Sequence, residues 1–192
     1  MKNYNQNKLV FEKGVDLYYG KTNFHNRVKL NFDDRTGFDK AKLAAENSDI
    51  VIMVLGEEGN QSGEGRSRTN IGLPGLQLEL LKEIYKINQN IVLVVMSGRP
   101  LDLTWADKNI PAIIQAWHLG SKSGEAIAEV LYGDYNPSGK LTMSFPRNVG
   151  QVPIYYNFKN TGRPSTSIEQ VTNSGYADVV NSPLYSFGYG LS

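Results

Sequence analysis

The sequence predicts an α/β fold: a mostly parallel, open sheet with helices on both faces (an α/β sandwich), followed by a long irregular C-terminal arm. Apolar runs of strand length alternate with amphipathic helical runs, as in βαβ units. These strand-length runs are continuous, the pattern of parallel strands buried on both faces. After Pro146 the alternation ends, and Gly, Ser, Asn and Tyr predominate. We expect a sandwich domain over residues 1–150 and an arm over 151–192 that packs on this domain or on a missing one.

The first half of the chain carries a separate signal for each element. Leu9–Glu12 has the composition of a short strand. Thr36–Asn47 has a helical pattern and begins with a Thr/Asp pair spaced as a capping box. Asp49–Leu55 is a continuous apolar run and is expected to be a buried strand. A helix is predicted from Leu73 to about Asn88, because Pro74 suits a first turn and apolar side chains recur along one stripe.

The second half continues the alternation with a strand, a short helix, another strand, a longer helix and a fourth sheet strand. Turn and cap residues separate these elements. The predicted bounds are Ile91–Met96, Leu103–Asp107, Ala112–Trp117, Ser121 or Ser123 to Gly133, and Leu141–Phe145.

Composition excludes several classes of function. The formal net charge is +1, and the basic residues are too scattered for a nucleic-acid-binding stripe. The absence of cysteine excludes disulfides, thiolate nucleophiles and zinc fingers. The apolar runs are far shorter than a membrane span. We therefore expect no metal, no cofactor, no nucleic-acid partner and no membrane span.

The loop after the first apolar run is the most informative segment. Between residues 57 and 68 it carries three glutamates, two arginines and several glycines. In open α/β sheets, ligands bind beyond the carboxyl ends of the strands, where this loop is expected to lie. The loop is therefore either a site of chemistry or a solvated acidic turn. Glu57 and Glu58 are expected to hold it down through backbone amides.

The order of short motifs resembles the C-terminal α/β-sandwich domain of family 3 glycoside hydrolases, the β-glucosidase and β-xylosidase group. Each motif alone is weak, but their common order covers most of the chain. The matching strings are Ser48–Gly56, Ser62–Glu64, Ile71–Pro74, Val95–Pro100, Ala116-Trp117, Gly124–Gly133, Asn136–Leu141, Pro153–Asn157, Asn160–Pro164 and Ser182–Ser192.

The resemblance implies one half of a retaining β-glycosidase that hydrolyses terminal β-linked glycosides. In such enzymes the nucleophile is an aspartate on an N-terminal (β/α)₈ barrel, and in many members the general acid/base is a loop glutamate that matches Glu64. The motif with the aspartate is absent from these residues, so the isolated chain is expected to be inactive. The implied partners are a carbohydrate substrate and the barrel domain of the same protein. A periplasmic or secreted location is implied, and a cytoplasmic one stays open.

Three further residues are predicted to contact substrate. Ser62 belongs to the same matching string, Ser62–Glu64, and Arg66 could donate to sugar hydroxyls, although surface ion pairs are a commoner role for such residues. Trp117 could stack on a sugar ring or pack in the core. His118 beside it is expected to be structural.

Two other enzyme classes fit the sequence poorly. A dinucleotide fingerprint would need a glycine where Arg68 stands, and the α/β-hydrolase elbow would need a serine where Lys122 stands. The main alternative is a non-catalytic carbohydrate-binding or interaction module of α/β fold.

Overall fold

The computed structural model describes residues 8–159, 162 and 175–191. The Asn160–Pro164 string, apart from Gly162, and residues 163–174 of the predicted arm lie outside this part. The described elements alternate along the chain, and two short 3₁₀ turns cover Gly59–Gln61 and Val149–Gln151. The elements are α1 (Phe38–Glu46), β1 (Val51–Gly56), α2 (Gln77–Ile87), β2 (Ile91–Met96), α3 (Thr104–Asn109), β3 (Ala112–Gln115) and α4 (Ser123–Tyr132).

The three described strands form one parallel sheet in the order β1-β2-β3. The register pairs Val51 with Ile91 and Val92 with Ala112. The central strand β2 supplies the most deeply buried part of the core, since Leu93, Val94 and Val95 are all 0% exposed. Helices α1 and α2 pack on each other, and α2 also contacts β1. The predicted fold class is confirmed.

Two helices begin later than the sequence pattern suggests. Helix α1 starts at Phe38 with no side-chain cap, so the predicted capping box is wrong. The Asp34 carboxylate instead accepts the Thr36 backbone N–H at 2.9 Å and closes a turn ahead of the helix. Helix α2 starts at Gln77, because Gly75 has a φ of +65° and interrupts the right-handed helix at that point.

Three of the strand predictions differ from the structure. Leu9–Glu12 forms no strand, and its side chains are exposed. Strand β1 is not buried on both faces, since Val54 is 50% exposed. Leu141–Phe145 is not a sheet strand either. It pairs with the tail, through an antiparallel bridge from Phe145 to Tyr185 and a hydrogen bond from Gly188 N–H to the Leu141 carbonyl.

The described chain divides into two compact units, which we treat separately. The first contains 8–68, 73–99 and 105–135, and the second contains 69–72, 100–104 and the described residues from 136 onward. The predicted boundary at residue 150 stays a prediction. Within the first unit, the irregular N-terminal segment is organised by Asn31, which is 0% exposed. Its amide donates to the carbonyls of Asp16 and Asp34, both at 2.9 Å, so it replaces the regular pairing that this segment lacks.

An exposed ion pair in the first unit gives a pH-dependent contribution to stability. Arg35 donates to both oxygens of Glu79, at 2.6 and 2.7 Å. These hydrogen bonds lower the pKa of Glu79 from its ordinary value of 4.5. A carboxyl with a lowered pKa in the folded state stabilises the fold above its unfolded pKa, and that contribution is lost as the pH falls through the folded value.

We therefore expect the free energy of unfolding of the Glu79→Gln variant to decrease less than that of the parent on acidification below about pH 4.5. Urea unfolding at neutral and acidic pH measures this difference. Glu83→Gln, on the same helix, is the control for the loss of one negative charge. Parallel pH profiles for parent and Glu79→Gln would contradict the assignment.

Candidate functional site

The loops that follow the three strands meet at the carboxyl edge of the sheet, as expected for an α/β fold. Gly98 shows how closely they approach. A Cβ atom added to it would lie 2.3 Å from the Ser62 hydroxyl oxygen and 3.2 Å from Cδ2 of His118. We call this region the strand-end site, defined by residues 57–68, 97–99 and 116–118.

The Glu57 carboxylate is the hub of the strand-end site. Its side chain is 0% exposed, and it forms ion pairs with Arg68 at 2.6 Å and with Arg99 Nε at 2.9 Å. It also accepts hydrogen bonds from the Ser62 hydroxyl at 3.1 Å and from the Gly98 backbone N–H at 3.2 Å. Two cations and two neutral donors compensate a buried anion that would otherwise be costly.

Arg99 joins the turn after β2 to the loop after β1. Besides Glu57, its guanidinium donates to the backbone carbonyl oxygens of Gln61 and of Arg66, the second at 2.9 Å. These two carbonyls lie on either side of the segment 62–65. The loop is therefore clamped on both sides of a four-residue tip.

The start of the loop is capped by its own side chains. The Glu58 carboxylate accepts the Asn60 N–H at 2.7 Å, and the Gln61 amide oxygen accepts the Glu58 N–H at 2.9 Å, a reciprocal capping box. The Thr22 hydroxyl also donates to Glu58, at 3.0 Å. The expectation that Glu57 and Glu58 hold the loop through backbone amides thus agrees with their contacts.

Glu64 lies on the exposed tip of this loop. Its neighbours Gly63 and Gly65 have φ values of +110° and +66°, a backbone conformation that L side chains rarely adopt. Neither glycine has another heavy atom within 4 Å of an added Cβ. A carboxyl on such a tip is open to a second protein module.

The other predicted substrate contacts, Ser62, Arg66 and Trp117, lie in the strand-end site, and each stays a prediction. Ser62 is partly buried and bound to Glu57. Arg66 donates to the Phe24 carbonyl, and its guanidinium lies 5.9 Å from the centre of the Phe24 ring. Trp117 is partly buried two residues beyond β3, with a φ of +53° that is uncommon for an aromatic residue.

Sequence reasoning missed three partners of the loop, Arg99, Phe24 and Thr22, the last of which donates to Glu58. Arg99 enters the sequence prediction only as part of the Val95–Pro100 motif, although its position after β2 places it at the same edge as Glu57. Phe24 belongs to an irregular segment whose sequence carries no periodic signal. It is 67% exposed, and its backbone carbonyl accepts a hydrogen bond from Arg66.

Comparison with known proteins assigns the chain to a family. The family model described as the glycosyl hydrolase family 3 C-terminal domain matches residues 4–192, so the chain belongs to this family. It is 43% identical to the periplasmic beta-glucosidase of Salmonella typhimurium, across 96% of this chain and 25% of that protein. It is 39% identical to a beta-xylosidase of Formosa agariphila, across 90% of this chain and 23% of that protein.

A solved structure supports the same assignment. Beta-glucosidase from Listeria innocua matches with a TM-score of 0.79 and 36% identity, across 85% of this chain and 23% of that one. That enzyme has also been crystallised in complex with glucose. The resemblance seen in the sequence is confirmed, and the chain is a glycosidase domain that spans about a quarter of the length of these relatives.

Two negative findings apply to residues 8–159, 162 and 175–191. No helix there is long and apolar enough to cross a membrane. Over the same residues, no group of three or more His, Asp or Glu side chains is arranged to hold a metal ion.

Proposed function

We propose that this chain is the second domain of a retaining β-glycosidase and that Glu64 is its general acid/base. The observation that carries this proposal is the exposed Glu64 carboxyl on a glycine-flanked tip, above a loop base that is fixed by buried ion pairs. A proton donor that acts in a site formed by two modules has to protrude from the module that carries it. The backbone that supports it has to be rigid. The tip and the base meet these two needs.

The reaction needs two carboxyl groups about 5–5.5 Å apart. In the first step, an aspartate of the barrel attacks the anomeric carbon, the bond to the leaving oxygen breaks, and Glu64 gives its proton to that oxygen. In the second step, the Glu64 carboxylate takes a proton from a water whose oxygen attacks the same carbon, and the glycosyl–aspartate bond breaks. Glu64 ends the cycle protonated, as it began.

The substrate we propose is a terminal β-linked glucoside or a closely related pyranoside. The names of the relatives, beta-glucosidase and beta-xylosidase, support this class. Ser62, Arg66 and Trp117 belong to the strand-end site and would contact the sugar or its leaving group. The partner is a barrel domain with the nucleophile, and the periplasmic Salmonella relative supports a periplasmic or secreted location.

A chimeric enzyme tests the proposal. This chain replaces the quarter of the Salmonella protein that it matches, and hydrolysis of 4-nitrophenyl β-glucoside is measured. We expect activity in the chimera and none in this chain alone or in the remaining part of the Salmonella protein alone. A folded chimera no more active than that remaining part would exclude the half-site role. Binding of glucans by this chain alone, with an inactive chimera, would favour a non-catalytic carbohydrate-binding module.

A further inference from the structure

We infer that Glu57 is a positioning residue, which fixes the loop base and thereby sets the direction in which Glu64 gives its proton. The inference rests on the proposed function, because it assigns a role in the same reaction. Glu57 does not need to touch the substrate for this role. Its side chain is 0% exposed, and it acts through the loop that it holds.

The contacts of Glu57 restrain the tip from both directions. The ion pair with Arg68 joins the two ends of the twelve-residue segment 57–68 at 2.6 Å. The hydrogen bond from Ser62 fixes the residue at which the tip begins. Arg99, held by Glu57, binds the carbonyl of Arg66 at 2.9 Å and so fixes the residue that follows the tip. Only Gly63, Glu64 and Gly65 lie between these two anchors.

Stability alone is a poor explanation for this arrangement. A buried ion pair is often no more stabilising than well-packed apolar side chains of similar volume. Here three charged side chains, each at most 20% exposed, converge at the edge of the sheet where the loop begins. The reaction rate, in contrast to stability, depends strongly on the position of the reacting group, because a misplacement of about 1 Å can cost about a hundredfold in rate. The ion pairs of Glu57 with Arg68 and Arg99 are therefore explained by the need to hold the tip of the loop in one orientation.

The Glu57→Gln variant of the chimeric enzyme tests this inference. Glutamine keeps the shape and one acceptor oxygen but removes the charge that Arg68 and Arg99 share. We expect kcat/KM for phenyl β-glucoside, whose leaving group needs a proton, to fall by about tenfold to a hundredfold. The value for 2,4-dinitrophenyl β-glucoside, whose leaving group needs little protonation, should change much less. Leu81→Ala, a change at a fully buried core position of α2, is the control for lost stability. It should affect both substrates equally.

Gly98→Ala is a second variant that perturbs the loop without removing a charge. Its added Cβ would lie 2.3 Å from the Ser62 hydroxyl oxygen, so the start of the tip has to move. Gly98 is exposed, which favours folding of the variant. We expect the same selective loss for phenyl β-glucoside, and this variant carries the test if Glu57→Gln does not fold.

Two outcomes distinguish the inference from the proposed function. Equal losses for both substrates in Glu57→Gln, or in Gly98→Ala if the first variant does not fold, overturn the positioning role of Glu57. If those equal losses are found while Glu64→Gln still shows a selective loss for phenyl β-glucoside, only the positioning role is overturned and the proposed function stands. Absence of selectivity in Glu64→Gln itself overturns the proposed function, and the positioning role with it.

Discussion

In the chimeric enzyme, Glu64→Gln should lower kcat/KM for phenyl β-glucoside by about 10²- to 10⁴-fold, the usual range for loss of a general acid. Glutamine has no acidic proton to give to the departing oxygen, although its size and position match glutamate. For 2,4-dinitrophenyl β-glucoside, kcat/KM should change little, because that leaving group departs as a stable anion. Steady-state kinetics with the two substrates measures the difference.

The proposed base role of Glu64 gives a second readout in the same variant. Without a base, water attacks the glycosyl-enzyme slowly, so kcat for the dinitrophenyl substrate should fall. Azide needs no base, so its addition should restore kcat and yield β-glucosyl azide. Glu125→Gln, at an exposed position of α4, is the control and should leave both substrates unaffected. Unchanged kcat/KM for phenyl β-glucoside in Glu64→Gln would remove Glu64 from the mechanism.

The Gly56→Ala substitution should prevent this chain from folding or destabilise it by more than about 4 kcal/mol, beyond the usual range for a single substitution. Gly56 ends β1 with a φ of +144°, and an added Cβ would lie 1.8 Å from the Met96 carbonyl oxygen. That oxygen accepts the Glu57 N–H at 2.7 Å, so the methyl group would also displace the hub residue. Urea unfolding followed by circular dichroism measures the loss.

Gly120→Ala is the matched control for that substitution. Nothing lies within 4 Å of a Cβ added to Gly120, and its φ is not positive. It should therefore change the free energy of unfolding by no more than about 0.5 kcal/mol, as is usual for surface positions. Equal unfolding midpoints for Gly56→Ala and the parent would show that the ends of β1 and β2 can separate at little cost.

The sequence was informative where local pattern decides structure. The apolar run Ile91–Met96 is strand β2 with the bounds expected, and Gly133 ends α4 in the left-handed conformation. Both features depend on neighbours along the chain. The place of the charged loop beyond β1 also followed from the sequence, because strand and loop are adjacent.

The parts that sequence reasoning missed depend on distant residues. Glu57 and Arg99 are separated by 42 positions, and no local pattern links them. The apolar segment Leu141–Phe145 pairs with the tail at Tyr185 and not within the sheet, and no local pattern links these two parts of the chain. The helix predicted from Leu73 begins too early, because apolar periodicity carries no information on the positive φ of Gly75.

The ion pair between Glu57 and Arg68 makes two properties of the loop independent of each other, its folding and the reach of its tip. Since the anchors close on each other, the span between Ser62 and Arg66 can change in length with little effect on folding, as the entropy of a flexible loop grows only slowly with its length. Insertions there would change how far Glu64 protrudes while the base of the loop stays intact. Under the proposed function, differences in preference for the leaving group among related sequences should therefore concentrate in the residues between Ser62 and Arg66.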